Sequence, residues 1–267
     1  MLLLSAGCSA VKLGYRQGPV LAGWWLDGQL DLDAVQSARV RDELQRWFDW
    51  HARTQLPGYA QQLVRLRAES QGVAQPAQLC RWNETVRELV STAVEPLLPA
   101  AAEVALTLTP AQIDHLDRKQ SRRTAELREE MLLPDPSERR QAMTKRTVKR
   151  FEEFYGRLSG AQRRLIEEAL AASPFDLEEW LQQRELRQRE LIAELRRIVA
   201  EKPPAGQVQE RLRRLVRRFD GRDPVGPPQQ AAALSAYNCA WAARLHNSAA
   251  AEQRERLADK LRNWESD

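Results

Sequence analysis

Residues 108–116 read LTPAQIDHL, and the first five letters decide how the whole chain is read. Thr109 stands at the N-cap of a helix, Pro110 at its first position and Gln112 at its third. The threonine oxygen accepts from unpaired N–H groups of the first turn, and the glutamine reaches back to the N-cap N–H. The proline forfeits nothing, because its nitrogen would have no partner there. The same grammar recurs at Asp135-Pro136 with Glu138, at Ser159 with Gln162, and at Ser173-Pro174 with Asp176. Behind Ser159 run Leu165, Ile166, Ala169 and Leu170. Behind Ser173 run Leu177, Trp180 and Leu181, then Leu191, Leu195, Ile198 and Val199. A spacing of three or four residues puts each set on one stripe of a helix.

Working outward, Asp33 caps a helix carrying Val35, Ala38, Leu44, Trp47 and Phe48. QLPGY breaks it, and a second helix is expected from about Tyr59 to Ser70. Pro76 starts another, which Pro96 and Pro99 kink or end. RLRRLVRRF sets Leu212, Leu215, Val216 and Phe219 on one stripe among arginines, EKPPAG and DGRDPVGPP read as turns, and the last helix starts near Ser248 with Leu257 and Leu261 inward. No pair of strands and no long repeat is evident. The chain has 267 residues, 43% hydrophobic and 29% charged, which suits a folded core and excludes a disordered chain. The expectation is an all-α protein, a multi-helix bundle or elongated array of about ten helices joined by short Pro/Gly loops. Residues 9–267 form one helical domain, with a sub-boundary near 105–110. No stretch approaches the ~20 apolar residues that span a bilayer.

The N-terminus, MLLLSAGCSA, poses a question of address. Ser5-Ala6-Gly7-Cys8 resembles a lipobox, where bacteria attach diacylglycerol to a cysteine and cut before it. The apolar run is short, no cation precedes it, and Ser5 stands where lipoproteins usually carry Leu. A late start codon or a trimmed leader repairs this. The alternative is an apolar N-terminus that packs on the core, with Cys8 an ordinary thiol. Ser9, rather than Asp, follows the cysteine, which resembles the sorting pattern of the outer membrane.

Few residues nominate chemistry. Cys80 and Cys239 lack the close spacing of a zinc site or a redox pair. In an oxidising compartment they would form a disulfide; in a reducing one they would stay buried thiols. In AGWWLDGQLDLDAVQ, Trp24 and Trp25 precede Asp27, Asp31 and Asp33. Paired carboxylates serve acid–base catalysis or hold a metal, but the alternate oxygens of a calcium loop are missing, so the better reading is that Asp33 caps a helix, Asp27 or Asp31 meets an arginine, and the tryptophans fill core or interface. His51, His115 and His246 lack the spacing of a metalloprotease helix, and no phosphate loop, nucleotide fingerprint or nucleophile elbow is present. No metal and no cofactor is called for. The arginine-rich stretches 118–164 and 184–222 are interleaved with glutamates, as on solvated helix faces. Concentrated into a patch, they would meet anionic lipid or the phosphates of lipopolysaccharide. The net charge of +4 and the absence of aromatics among the basic runs argue against nucleic acid.

GWWLDGQLDLDAVQ, LTPAQIDHL, FYGRLSGAQ, SPFDLEEW and the closing LHNS with EQRERL resemble, over essentially the whole chain, a proteobacterial lipoprotein family known only as a domain of unknown function. The resemblance implies a helical protein of the cell envelope, acylated at Cys8, and a bridge between Cys80 and Cys239. LTPAQ and LSGAQ also resemble, more weakly, the LTxxQ motif of small periplasmic chaperones; capping chemistry alone accounts for both matches. The expected function is that of a lipid-anchored protein of the outer membrane, facing the periplasm, that binds another macromolecule, as an accessory factor, scaffold or holder of unfolded clients. Trp24, Trp25, Asp27, Asp31 and His51 are the candidate binding residues. The alternatives are an envelope enzyme using Asp27 or Asp31 with His51, and a binder of anionic lipid.

Overall fold

A computed structural model describes residues 14–219 and 226–266. The described residues are all-α, with no strand: twelve α-helices and one 3-10 turn. In order these are α1 (Gly18–Leu30), α2 (Ala34–Thr54), α3 (Leu56–Glu69), α4 (Pro76–Val94), the 3-10 turn Glu95–Leu97, α5 (Leu98–Thr107), α6 (Pro110–Met131), α7 (Pro136–Tyr155), α8 (Gly160–Ala171), α9 (Leu177–Glu201), α10 (Ala205–Phe219), α11 (Pro228–Asn247) and α12 (Ala251–Ser266).

The chain forms two compact units, each assembled from three separate segments. The first holds residues 1–55, 87–128 and 177–226; the second holds 56–86, 129–176 and 227–267. In the first, α5 is the central helix and packs on α2, α9 and α10, while α1 lies along α2. Leu44, Ala102, Ala105, Ile113, Ile198 and Val208 are among its buried residues. In the second, α12 packs on α3 and α7, and α8 on α7 and α11. Leu158, Ile166 and Leu245 form its core, with Phe151, Tyr155 and Trp241 packed against them.

Both units use the same device to join two helix starts. In the first, the N-cap N–H groups of Asp33 and Thr109 donate to Oε1 of Gln36 and Gln112, at 3.0 and 2.9 Å. Each amide nitrogen then crosses to the other helix: Gln112 Nε2 donates to Asp31 O at 2.7 Å, and Gln36 Nε2 to Thr107 O at 2.9 Å. The two amides also meet each other at 2.6 Å. In the second unit, Ser159 N and Ala250 N donate to Gln162 and Gln253, at 2.9 and 3.0 Å. Gln162 Nε2 donates to Ser248 O at 3.2 Å and Gln253 Nε2 to Arg157 O at 3.0 Å. In all four cases the crossing bond ends on the carbonyl two residues before the partner helix's cap. The clasp is a local two-fold arrangement that satisfies orphan groups of two helix starts at once.

Several boundaries differ from the sequence reading. α3 starts at Leu56 rather than near Tyr59, because Pro57 fits the first turn of a helix without loss. α9 starts at Leu177, three residues after Pro174: Ser173 Oγ accepts from Phe175 N at 3.2 Å and closes a turn, so it does not cap. The last helix starts at Ala251, after Ser248 closes α11. The helical run Pro76–Thr107 is long and apolar enough, by length and composition, to cross a membrane, contrary to the reading that no stretch reaches that threshold. Its second half is a core helix, with Leu98, Ala102, Val104 and Ala105 buried. Cys8 and most of the DGRDPVGPP turn lie outside the described residues.

Candidate functional site

α1 is apolar on both sides. Its inner side presents Pro19, Ala22, Leu26 and Leu30 to the core of the first unit. The close approach to α2 requires a glycine: a Cβ on Gly18 would overlap the Phe48 ring. Asp31 ends the helix in the left-handed conformation, at φ 51°, with its N–H on Asp27 O. The outer side exposes Val20, Leu21, Trp24 and Trp25, the last two at 70% and 63%.

Trp25 leads into a cleft of about 940 Å³ in the first unit. Leu26 and Leu30 of α1, Leu116 of α6 and Leu191 of α9 supply its apolar lining, with Trp25 and Phe219 exposed at its edge. Lys119, Arg122 and Arg123 enter from α6, and Arg184 and Arg187 from α9. Among the described residues one carboxylate, Glu126, lines the same space and pairs with Arg123 at 3.0 Å. Arg184 is positioned by its Nε, which donates to the buried Thr124 hydroxyl at 3.3 Å; that hydroxyl lies 3.0 Å from the Gln188 amide. Burial, then the neighbouring Arg184, pushes the Arg187 guanidinium below its ordinary value. Like charges held together in a partly desolvated cleft focus a positive potential on whatever enters. Gln120 adds a buried Oε1 with no hydrogen-bond partner among the described residues.

Two other pockets lack this balance. A 370 Å³ space in the first unit is rich in arginine, but Glu190 and Glu194 neutralise it, pairing with Arg218, Arg197 and Arg211 at 3.7, 2.9 and 3.4 Å. In the second unit an apolar pocket of about 430 Å³ is lined by Leu66, Trp82, Phe151, Leu261 and Trp264. Its carboxylate, Glu69, is held below the usual range by hydrogen bonds from Gln78 and Trp82.

The residues singled out from sequence are not gathered in one place. Trp25 lines the cleft and Trp24 stands exposed beside it on α1. Asp27 Oδ1 takes a hydrogen bond from Ser37 Oγ at 3.5 Å, and Asp31 gives its carbonyl to Gln112. His51 is buried, stacked on Trp47 at 4.7 Å with Nδ1 2.9 Å from the Tyr15 hydroxyl, and burial lowers its pKa. From position 37 to position 51, α2 runs about 21 Å, so Asp27 and His51 do not share a site. His115 Nε2 lies 3.3 Å from Gly28 O, at the end of α1. In the second unit, Cys80 and Cys239 are joined in a disulfide with Cα atoms 5.6 Å apart. No group of three or more His, Cys, Asp or Glu is placed to hold a metal among the described residues.

The cations of the cleft were read from sequence as parts of solvated faces. Their signal was register: Lys119 and Arg123 continue the stripe begun by the buried Leu116, and Arg184, Arg187 and Leu191 share one face of α9. A cation in an apolar stripe lines a cleft more readily than it faces open water.

No curated protein and no solved structure matches this chain. Residues 28–221, which include α6, α9 and α10 of the cleft but only the last turn of α1, match a family of unknown function, DUF6279. That stretch exceeds half of the chain, and the chain belongs to this family.

Proposed function

We propose that the chain is a lipid-anchored, non-enzymatic binding protein of the cell envelope, held at the outer membrane by Cys8 and facing the periplasm. Its binding surface is the first unit's cleft with the outer side of α1. The observation that carries this reading is the cleft itself, where, among the described residues, five cations and one carboxylate surround apolar walls next to two exposed tryptophans. Such a surface fits a partner that presents apolar groups beside negative charge, in an accessory or scaffolding role. The Cys80–Cys239 bridge supports an oxidising compartment. The lipobox-like SAGC supports the anchor.

The test is cross-linking in the native host, from the natural start codon, with a photoreactive residue at position 25 and a control at the exposed Glu255. Adducts from position 25 should exceed the control several-fold and should fall when Arg184 and Arg187 are both changed to Gln. Equal yields from the two positions would sink the reading. The anchor is checked separately, by the intact mass of the N-terminal peptide: an unmodified Cys8 removes it.

A further inference from the structure

We infer that the partner of this face is the surface of an anionic lipid bilayer: α1 enters the interface and the cleft's cations take the lipid phosphates. The inference rests on the cleft being the binding face and names what it binds.

Two independent features of the first unit meet at Trp25. The first is the exposed outer side of α1. Val20, Leu21, Trp24 and Trp25 are spaced i, i+1, i+4 and i+5, so they share one helical face, and all are exposed. Two neighbouring exposed tryptophans on an otherwise aliphatic face mark an interaction surface. Tryptophan favours the headgroup layer of a bilayer, where its ring is buried and its N–H stays wet.

The second feature is charge. α1 itself carries no Lys or Arg. The positive charge comes from Lys119, Arg122, Arg123, Arg184 and Arg187 across the cleft, and among the described residues that line it the carboxylate is Glu126. Apolar residues for insertion, bordered by cations for headgroups, are the two parts of interfacial binding, and neither suffices alone. Charge complementarity therefore selects an anionic surface. The lining also favours lipid over a folded partner: long basic side chains around a wide space match mobile headgroups that need no fixed register.

The experiment uses the full chain with Cys8→Ser, so that no attached acyl chain contributes. It is floated with vesicles of phosphatidylcholine alone, and with vesicles in which a third of the lipid is phosphatidylglycerol. Partitioning should be at least roughly tenfold higher on the second, should fall as salt rises, and should shift tryptophan emission to the blue. Arg184→Gln/Arg187→Gln should remove most of the preference for phosphatidylglycerol, and Trp24→Ser/Trp25→Ser should weaken binding to both compositions. If the arginine pair proves necessary for folding by circular dichroism, Lys119→Gln/Arg122→Gln tests the same dependence.

Equal partitioning onto the two vesicles, or a preference that survives both cation variants, overturns the inference. Displacement by millimolar inorganic phosphate or glycerol phosphate overturns it too, because the cleft would then be a site for a free anion. Should vesicles fail while cross-links from position 25 still reach a protein, the lipid assignment falls and the binding face stands. If both fail, both readings fall.

Discussion

Gln112 shows why a capping box that tolerates either acid or amide elsewhere takes an amide here. Its Oε1 accepts from its own N-cap, as a glutamate's would, but its Nε2 must also donate to Asp31 O and to Gln36. Gln112→Glu keeps the acceptor and loses the donor inside a buried pair. We expect a loss of about 1–3 kcal/mol in urea unfolding, with Thr109→Ser nearly neutral. His246, like His51, is a residue whose state should follow pH. It is buried against the Tyr155 hydroxyl on Nδ1, at 2.9 Å, and the Gly72 carbonyl near Nε2, at 3.2 Å. The carbonyl can only accept, so Nε2 carries the proton and Nδ1 accepts from the tyrosine. Burial pushes the imidazole down, the nearby Arg254 adds to this, and the hydrogen bond to Gly72 opposes it; burial likewise pushes Tyr155 up to about 12. Above a pH of about 6.5 the histidine is neutral folded and unfolded, and contributes no slope. Below that value the unfolded chain takes up the proton first, so stability falls as pH falls towards the depressed folded value. His246→Gln should flatten the decline in melting temperature on the acid side of pH 6.5, while lowering the melting temperature above it.

At the scale of elements, the helix starts were the most legible part of the sequence, because a cap is chemistry among neighbours. The Thr109 and Ser159 boxes stand as read. Ser173 misled because the same hydroxyl can close a turn two residues on, and nothing local separates the two uses. Pro96 and Pro99 were read as a kink or an end, and the chain answers with a single 3-10 turn between α4 and α5. The seating of α1 depends on contacts the sequence did not reveal. Gly18 meets the Phe48 ring, so even Gly18→Ala must displace either that ring or α1. We expect a cost of about 1–3 kcal/mol by chemical denaturation, together with altered tryptophan fluorescence from Trp24 and Trp25.

At the scale of the whole molecule, the interleaving of the two units was illegible. Each gathers three distant segments, and helical periodicity says which face is apolar but not which distant face it meets. The cleft was hidden for the same reason: its cations lie more than sixty positions from one another between Arg122 and Arg184, and only packing brings α6 and α9 together. The bridge between Cys80 and Cys239 belongs to this scale as well. It ties the first segment of the second unit to the last across a separation of 159 residues. A loop that long corresponds to ~5 kcal/mol in the chain-entropy view, strain aside. Cys80→Ser/Cys239→Ser should therefore lower stability by several kcal/mol, and hydrogen exchange should accelerate along α4 up to Val86 and along α11.

Each unit fastens two helix beginnings to each other with carboxamides, and a carboxamide has no proton to gain or lose between mild acid and neutrality. An acid shock therefore acts unevenly. The tyrosine–imidazole contacts charge and strain, while the four amide fastenings hold the helices in line. Amide protons at Gln112 and Gln162 should stay protected after the melting temperature has begun to drop, and on neutralisation the chain should close around starts that never came apart.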